Sequence, residues 1–256
     1  MMTLSAIERN QFRRKIIAQC EYPITHLLMA ILSTDQGEIW VNQKSNPQTF
    51  AAQIGKYAGF VYLIGQVEPK IFEKFTRQDM IMVPMNRAWS EFLRQQCDGC
   101  LEKFYRYMMQ APDHFDRRWL EELRGCLPES YQLCPISTET FQQCLDQSWS
   151  VDLVGNFESY EDFAQEGLGF VITYKDRVVS GASTFAPIEN GIEIELDTHP
   201  EFRGRGLAKR VVSQLILSCI NKNILPSWDA HNEISRHIAE SLGYTTEFTY
   251  EAFETI

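Results

Sequence analysis

From Ile192 to His199 the chain alternates one residue for one: Ile192, Ile194, Leu196 and Thr198 fall on one side, and Glu193, Glu195, Asp197 and His199 on the other. A period of two predicts a half-buried β-strand. Two more strands precede it in "GFVITYKDRVVSGASTFAPIEN", turning at Lys175-Asp176 and at Glu189-Asn190-Gly191. "YQLCPIS" reads as an earlier strand. "TETFQQCLDQSW" and "SYEDFAQEG" read as helices, with Ser137 or Thr138 and Ser159 as N-caps. After the alternating strand come a helix in "LAKRVVSQLILSCINKN", a strand in "PSWDA", a helix in "EISRHIAESLGY" and a last strand in "TEFTYEAF". The second half therefore reads β-α-α-β-β-β-α-β-α-β.

The first half reads as an α/β module. "IERNQFRRKIIAQC", "RAWSEFLRQQ" and "FDRRWLEELRGCL" are helix candidates, and "EIWVNQ" and "FVYLIGQV" are strand candidates. "NPQTFAAQIGKYA" has helical spacing, with Pro47 where a helix can start. "LEKFYRYMMQ" fits a helix or a strand. "CLPES" marks a boundary, so the expectation is an N-terminal α/β domain over 1–128 and a second domain over 129–256. No repeat is visible.

Composition narrows the class. With 44% hydrophobic and 23% charged residues the chain is globular. A formal net charge of -10 speaks against a nucleic-acid partner, which needs a basic face, and suits a cationic one. The apolar run "ITHLLMAIL" is too short to span a bilayer, so no membrane role is expected. Cys20, Cys97, Cys100, Cys126, Cys134, Cys144 and Cys219 are odd in number and form no framework, which predicts reduced thiols in the cytoplasm. The lone "CDGC" reads as a helix end with two thiols rather than a zinc or redox centre, and no metal site is expected.

The candidate chemistry lies where the alternating strand meets the next helix, in "HPEFRGRGLAKR". Gly204 and Gly206 sit among Arg203, Arg205, Lys209 and Arg210. Glycine lets backbone N–H groups approach a ligand, and a helix N-terminus favours an anion. The junction suits a phosphate or pyrophosphate. It is not a Walker A loop, because Leu207 and Ala208 follow Gly206, and "GRGLAK" lacks the third glycine of a dinucleotide fingerprint.

The order of elements and "RGRGLA" resemble the GCN5-related N-acetyltransferase (GNAT) superfamily. Arg203, Gly206 and Ala208 match its pyrophosphate loop, and Asn232 with Leu242-Gly243-Tyr244 matches its second signature. The resemblance covers about residues 129–256, and the extra N-terminal half is similar to a two-domain subgroup that includes zwittermicin A resistance-type acetyltransferases. It implies a mostly antiparallel, twisted sheet flanked by helices, and acetyl-CoA as co-substrate. It also implies that the backbone of Leu196, Asp197 and Thr198 pairs with the pantetheine arm, that Arg203, Gly204, Arg205, Gly206, Leu207, Ala208 and Lys209 cradle the pyrophosphate, and that Asn232 reaches the cofactor arm; Ser235, one helical turn after Asn232, is placed to reach the cofactor as well.

Acetyl transfer to an amine needs a base to free the nucleophile and an acid for the leaving thiolate. Glu195, central on the acidic edge of the strand, is the preferred base over Glu193 and Asp197. The family's usual acid, a tyrosine seven residues after the asparagine, is Ala239 here. His231 is the catalytic alternative, ahead of Tyr244, Tyr250 and His199. The expected function is N-acetylation of a small, cationic, amine-bearing molecule by a protein that could be a homodimer. The competing expectations are an acyl-CoA-binding regulator or inactive homologue, motivated by Ala239, and an adaptor working through its N-terminal half.

Overall fold

The structure, a computed structural model, describes residues 2–34, 36–56, 59–78, 80–97 and 99–255. They form two units, Met1–Arg106 with Phe248–Ile256, and Tyr107–Glu247.

The first unit begins with β1 (Met2–Thr3), α1 (Ala6–Ala18) and α2 (His26–Ser33). It continues through β2 (Glu38–Val41), β3 (Thr49–Ile54), β4 (Phe60–Gly65), α3 (Pro69–Thr76), β5 (Ile81–Pro84) and α4 (Arg87–Gln95) into β6 (Leu101–Gln110). β1 to β4 pair antiparallel in sequence order, and β4 pairs parallel with β5. The core gathers Trp89, Phe75, Leu63 and Met82.

"NPQTFAAQIGKYA" is a correction. The stretch forms β3, not a helix, as far as the described residues go; Tyr57 and Ala58 lie outside them. Residues Phe50, Ala51 and Ala52 are all fully buried, because β3 lies between β2 and β4 with both faces covered. A strand buried on both faces has no polar side, so the period of two that marks a strand is missing. "LEKFYRYMMQ" is the strand β6. α2, α3 and β5 are elements that the periodicity did not suggest.

The second unit opens with α5 (Arg117–Arg124), β7 (Tyr131–Pro135), α6 (Thr138–Leu145) and α7 (Tyr160–Glu166). The hairpins β8 (Gly169–Tyr174), β9 (Arg177–Ile188) and β10 (Gly191–Thr198) follow, then α8 (Leu207–Lys222), β11 (Leu225–Ala230), α9 (Glu233–Ser241) and β12 (Thr245–Thr255). The expected order β-α-α-β-β-β-α-β-α-β is present from β7 to β12. Ser137 and Ser159 cap α6 and α7 through N–H groups three residues on. Lys175 and Asp176 turn the β8–β9 hairpin with φ of 51° and 63°, as a tight two-residue turn requires. β7 to β10 pair antiparallel and β10 pairs parallel with β11. The α/β class with a mostly antiparallel sheet flanked by helices holds.

The division does not fall at Cys126–Ser130. α5 belongs with the second unit, where Leu120 is buried in one cluster with Val211 and Leu215 of α8. The end of β12 belongs with the first, where Phe253 is buried beside Met82. Contacts made far along the chain override the local composition that marked the boundary.

Among the described residues no cysteine is bridged. Asp98 of "CDGC" lies outside them, while the Cys97 and Cys100 thiols face the carbonyls of Leu93 and Gln96. Burial pushes the Cys144 and Cys219 thiols up to about 12, because a thiolate loses its hydration there. The thiolate is the reactive form. Native alkylation near pH 8 is therefore expected to modify exposed Cys126 and to spare Cys144 and Cys219 until the chain is unfolded; peptide mass mapping checks it.

Candidate active site

β10 and β11 pair from Gly191–Leu225 to Glu193–Ser227, and among the described residues the register ends there. β10 runs on to Thr198, while Trp228, Asp229 and Ala230 of β11 pair on their other side with Met109, Met108 and Tyr107 of β6. A parallel pair that stops pairing leaves backbone N–H and C=O groups turned toward a gap. At this gap opens a cleft of about 530 Å³. β10 contributes Leu196, Asp197 and Thr198; the following loop and α8 contribute Arg203, Gly204, Gly206, Leu207, Ala208 and Lys209. Asn232 and Ser235 line the facing side from α9, with Phe202, Ile234 and Ile238 supplying apolar surface.

The loop is open and its helix start is uncapped. Gly204 and Gly206 have φ of 75° and 74°, a left-handed backbone that glycine adopts without strain. Among the described residues nothing lies within 4 Å of where a Cβ would stand on either, so the space above the loop is open. Gly206 is the N-cap of α8, and among the described residues no side chain caps this helix. α4, α5, α6, α7 and α9 all receive such a cap. The first turn of α8 thus keeps its N–H donors and the positive end of its dipole free of a side-chain cap.

Of the four cations expected around the glycines, Arg203 and Lys209 line the cleft. Arg203 is steadied by a bond from Nε to the Thr198 carbonyl at 3.0 Å and by Asp197 at 3.5 Å. Arg205 is held differently: its guanidinium donates to the Tyr131 hydroxyl and the Glu201 carbonyl and lies over the ring of Phe202, itself a cleft residue. Stacking on an aromatic face and two hydrogen bonds fix it there. Arg210 donates to the carbonyls of Arg124 and Cys126, closing the C-terminus of α5. The sequence shows where cations sit along the chain but not which way a helix turn points them.

Asn232 caps α9, its Oδ1 accepting from the Ser235 N–H at 3.0 Å. The Ser235 hydroxyl in turn accepts from the buried Trp228 indole at 3.1 Å. The two residues stand one helical turn apart and both line the cleft.

The acidic edge of β10 is not uniform. Glu193 is 4% exposed and accepts from the Ser227 hydroxyl at 2.7 Å, at the last paired position before the gap. Glu195 is half-buried, one Oε accepting from the Leu196 N–H at 3.2 Å. Burial raises the pKa of Asp197, opposed by the Thr198 N–H and by Arg203. Among the residues described as lining the cleft, Glu195 and His231 do not appear; His231 is exposed in the turn before Asn232. His199 packs against Trp149 and Phe202 and accepts from the Glu201 N–H. Tyr244 is 2% exposed and donates to the Pro226 carbonyl, and burial holds its pKa well above the usual range; it belongs to the core. Tyr250 falls in the first unit. Ala239 is fully buried in the core beside α8, so the position of the family's usual tyrosine is a packing position here. Phe202, Ile234 and Ile238 were missed. Ile234, 72% exposed, breaks the polar face of α9, and that was the available signal.

Among the described residues no helix is long and apolar enough to cross a membrane. A family model described as GNAT acetyltransferase matches residues 16–253. An uncharacterized N-acetyltransferase of Bacillus subtilis (strain 168), YdfB, is 33% identical over 246 residues, 91% of each chain. The crystal structure of a GCN5-related N-acetyltransferase-like protein from Streptococcus suis 89/1591 superposes with a TM-score of 0.90 at 36% identity, covering 98% of this chain and 100% of that one. A GCN5-related N-acetyltransferase from Kribbella flavida shares the fold at 12% identity, with a TM-score of 0.58 over 90% and 92% of the two chains. The match thus runs through both halves of the sequence, and the chain belongs to the GNAT acetyltransferase family as an N-acetyltransferase.

Proposed function

We propose that the protein transfers an acetyl group from acetyl-CoA, held in the β10–α8–α9 cleft, to the amine of a small cationic molecule. The observation that carries the reading is the uncapped N-terminus of α8, which opens on the cleft below two left-handed glycines. Arg203, Lys209 and the first N–H groups of α8 hold the pyrophosphate. The backbone of Leu196 to Thr198 receives the pantetheine arm as an added strand, and Asn232 and Ser235 steady it from the other side. Bound acetyl-CoA supplies an activated acetyl thioester.

The remaining work falls to this chain's own side chains. An amine arrives protonated and must lose a proton before it can act as a nucleophile. Asp197 stands at the loop end of β10, tied to Thr198 and Arg203. Glu195 stands two residues further from the loop, toward the end of the gap where the arm would finish, and takes the proton. His231 at the head of α9 is the second group that can carry a proton between the site and solvent. The leaving thiolate has no tyrosine at Ala239 to meet it.

The acceptor class follows from charge. The net charge of -10 attracts cations, and Glu193, Glu195 and Asp197 share the strand edge beside the cleft. The test is a panel of polyamines, amino-antibiotics, amino acids and basic peptides, scored by acetyl-CoA-dependent mass gain and release of free thiol. Small cationic amines are expected to turn over, with kcat/KM falling as salt shortens the reach of charge to roughly 10 Å at 0.1 M. Activity confined to peptides, or indifferent to acceptor charge, would remove the cationic small-molecule reading. Cofactor binding without thiol release on any acceptor would favour the binding-protein alternative.

A further inference from the structure

The two halves of the chain repeat one element order. From β1 to β6 the first half reads β-α-α-β-β-β-α-β-α-β, and from β7 to β12 the second half reads the same. Pairing repeats as well: three antiparallel pairs in sequence order, then a parallel one, β4 with β5 and β10 with β11. The helix caps coincide. Ser5 and Ser137 each close a capping box on the first helix of their half. Asn86 and Asn232 each cap the helix after the parallel strand, with φ of -153° and -152°, each accepting from the N–H three residues on at 3.0 Å.

The halves differ at the cofactor gap. In the second, pairing ends at Glu193–Ser227 and the cleft opens. In the first, β4 and β5 stay paired from Phe60–Ile81 to Leu63–Pro84, and the Met85 N–H continues the ladder to the Leu63 carbonyl at 2.9 Å. The Asn86 side chain then donates to the Gly65 carbonyl at 2.8 Å, spanning the place where the gap would begin. The loop before α3 is Gln66-Val67-Glu68, without a cation. Glu68 is the N-cap of α3 and Pro69 its first residue, so the helix start offers a carboxylate and lacks one N–H donor. The Glu68 carboxylate works against a phosphate there and Pro69 leaves it one donor fewer, with Lys70 the cation of the first turn.

The edges also differ from a simple repeat. The strand next to β11 in the second unit is β6, from the first half, and the strand next to β5 in the first unit is β12, from the second half. We propose that the chain is a tandem of two copies of one acetyltransferase fold, that only the second copy binds acetyl-CoA, and that the closed first copy completes the second by lending it the strand beside β11. The cofactor part rests on the acetyl-CoA reading above; the strand exchange does not.

Two measurements on the full chain test it. Calorimetric titration with acetyl-CoA is expected to show one site per chain, lost in Gly206→Asp and unchanged in Gln66→Asp, a variant in the first copy's loop before α3. Two sites, or one site lost in Gln66→Asp and kept in Gly206→Asp, overturns the proposal. No binding to the wild type sinks the acetyl-CoA reading itself, a different outcome from two sites. For the exchange, hydrogen exchange is read on Phe253→Ala and on Met109→Ala. The first, on β12, is expected to speed exchange at least 10-fold in β4, β5 and α4 and to leave β10 and β11 protected. The second, on β6, is expected to do the reverse. Loss of protection in the opposite units from either variant overturns the exchange.

Discussion

Glu195→Gln is expected to lower kcat by roughly 100- to 10,000-fold, the span a general base contributes, with acetyl-CoA affinity nearly unchanged. Glutamine keeps the size of the side chain and can still accept from the Leu196 N–H, so the strand should not move. What it loses is the proton acceptor. The readout that separates a base from a structural role is the pH profile: the acid limb of kcat/KM set by the wild-type base should vanish in the variant. Glu193→Gln and Asp197→Asn are the comparisons. Glu193 is committed to Ser227 inside the sheet and Asp197 to Arg203 at the loop, so each is expected to cost less. A Glu195→Gln enzyme within a small factor of wild type, beside a crippled Asp197→Asn enzyme, would move the base to Asp197.

Gly206→Asp is expected to weaken acetyl-CoA binding by about 100-fold or more. The side chain would enter open space at the uncapped start of α8, where its carboxylate meets the N–H groups that the pyrophosphate needs. Favourable placement of an anion at a helix N-terminus contributes up to about 2 kcal/mol, and hydrogen bonds to charged groups about 1.5–3 kcal/mol. Losing a good part of both exceeds the roughly 2.8 kcal/mol that corresponds to 100-fold. The φ of 74° adds strain for any side chain with a Cβ, so Gly206→Asn is the control: asparagine tolerates the left-handed backbone and carries no charge. Calorimetry on both variants, with melting curves to confirm folding, checks the expectation. Equal affinities for Gly206→Asp and wild type in a folded protein would place the pyrophosphate elsewhere.

Much of the second unit is legible along the chain because its signals are local. The alternation at Ile192–His199 is a property of neighbours, as are the Lys175-Asp176 turn and the serine and asparagine caps. The glycine loop is equally local: its glycines and cations mark a helix start, and the family resemblance added the roles of Arg203, Gly206 and Lys209, all three of which line the cleft. Direction is another matter. Arg205 and Arg210 look no different from Arg203 in the sequence, yet the Tyr131 hydroxyl and the Cys126 carbonyl, distant in the chain, engage them as hydrogen-bond partners.

The first half was harder for a physical reason. β3 is covered on both faces, so the only pattern it carries is apolar, and β5, four residues long, is too short to show a period. The sequence by itself determined the order of elements after residue 129, the glycine-rich junction that comes to line the cleft, and the family. Only the tertiary structure decided that β1 to β6 repeats that order, that β6 and β12 cross between the units, and that Asn86 reaches the Gly65 carbonyl where Asn232 faces a cleft. Strand pairing joins residues more than a hundred positions apart, such as Met109 and Trp228, and no local pattern records the partner.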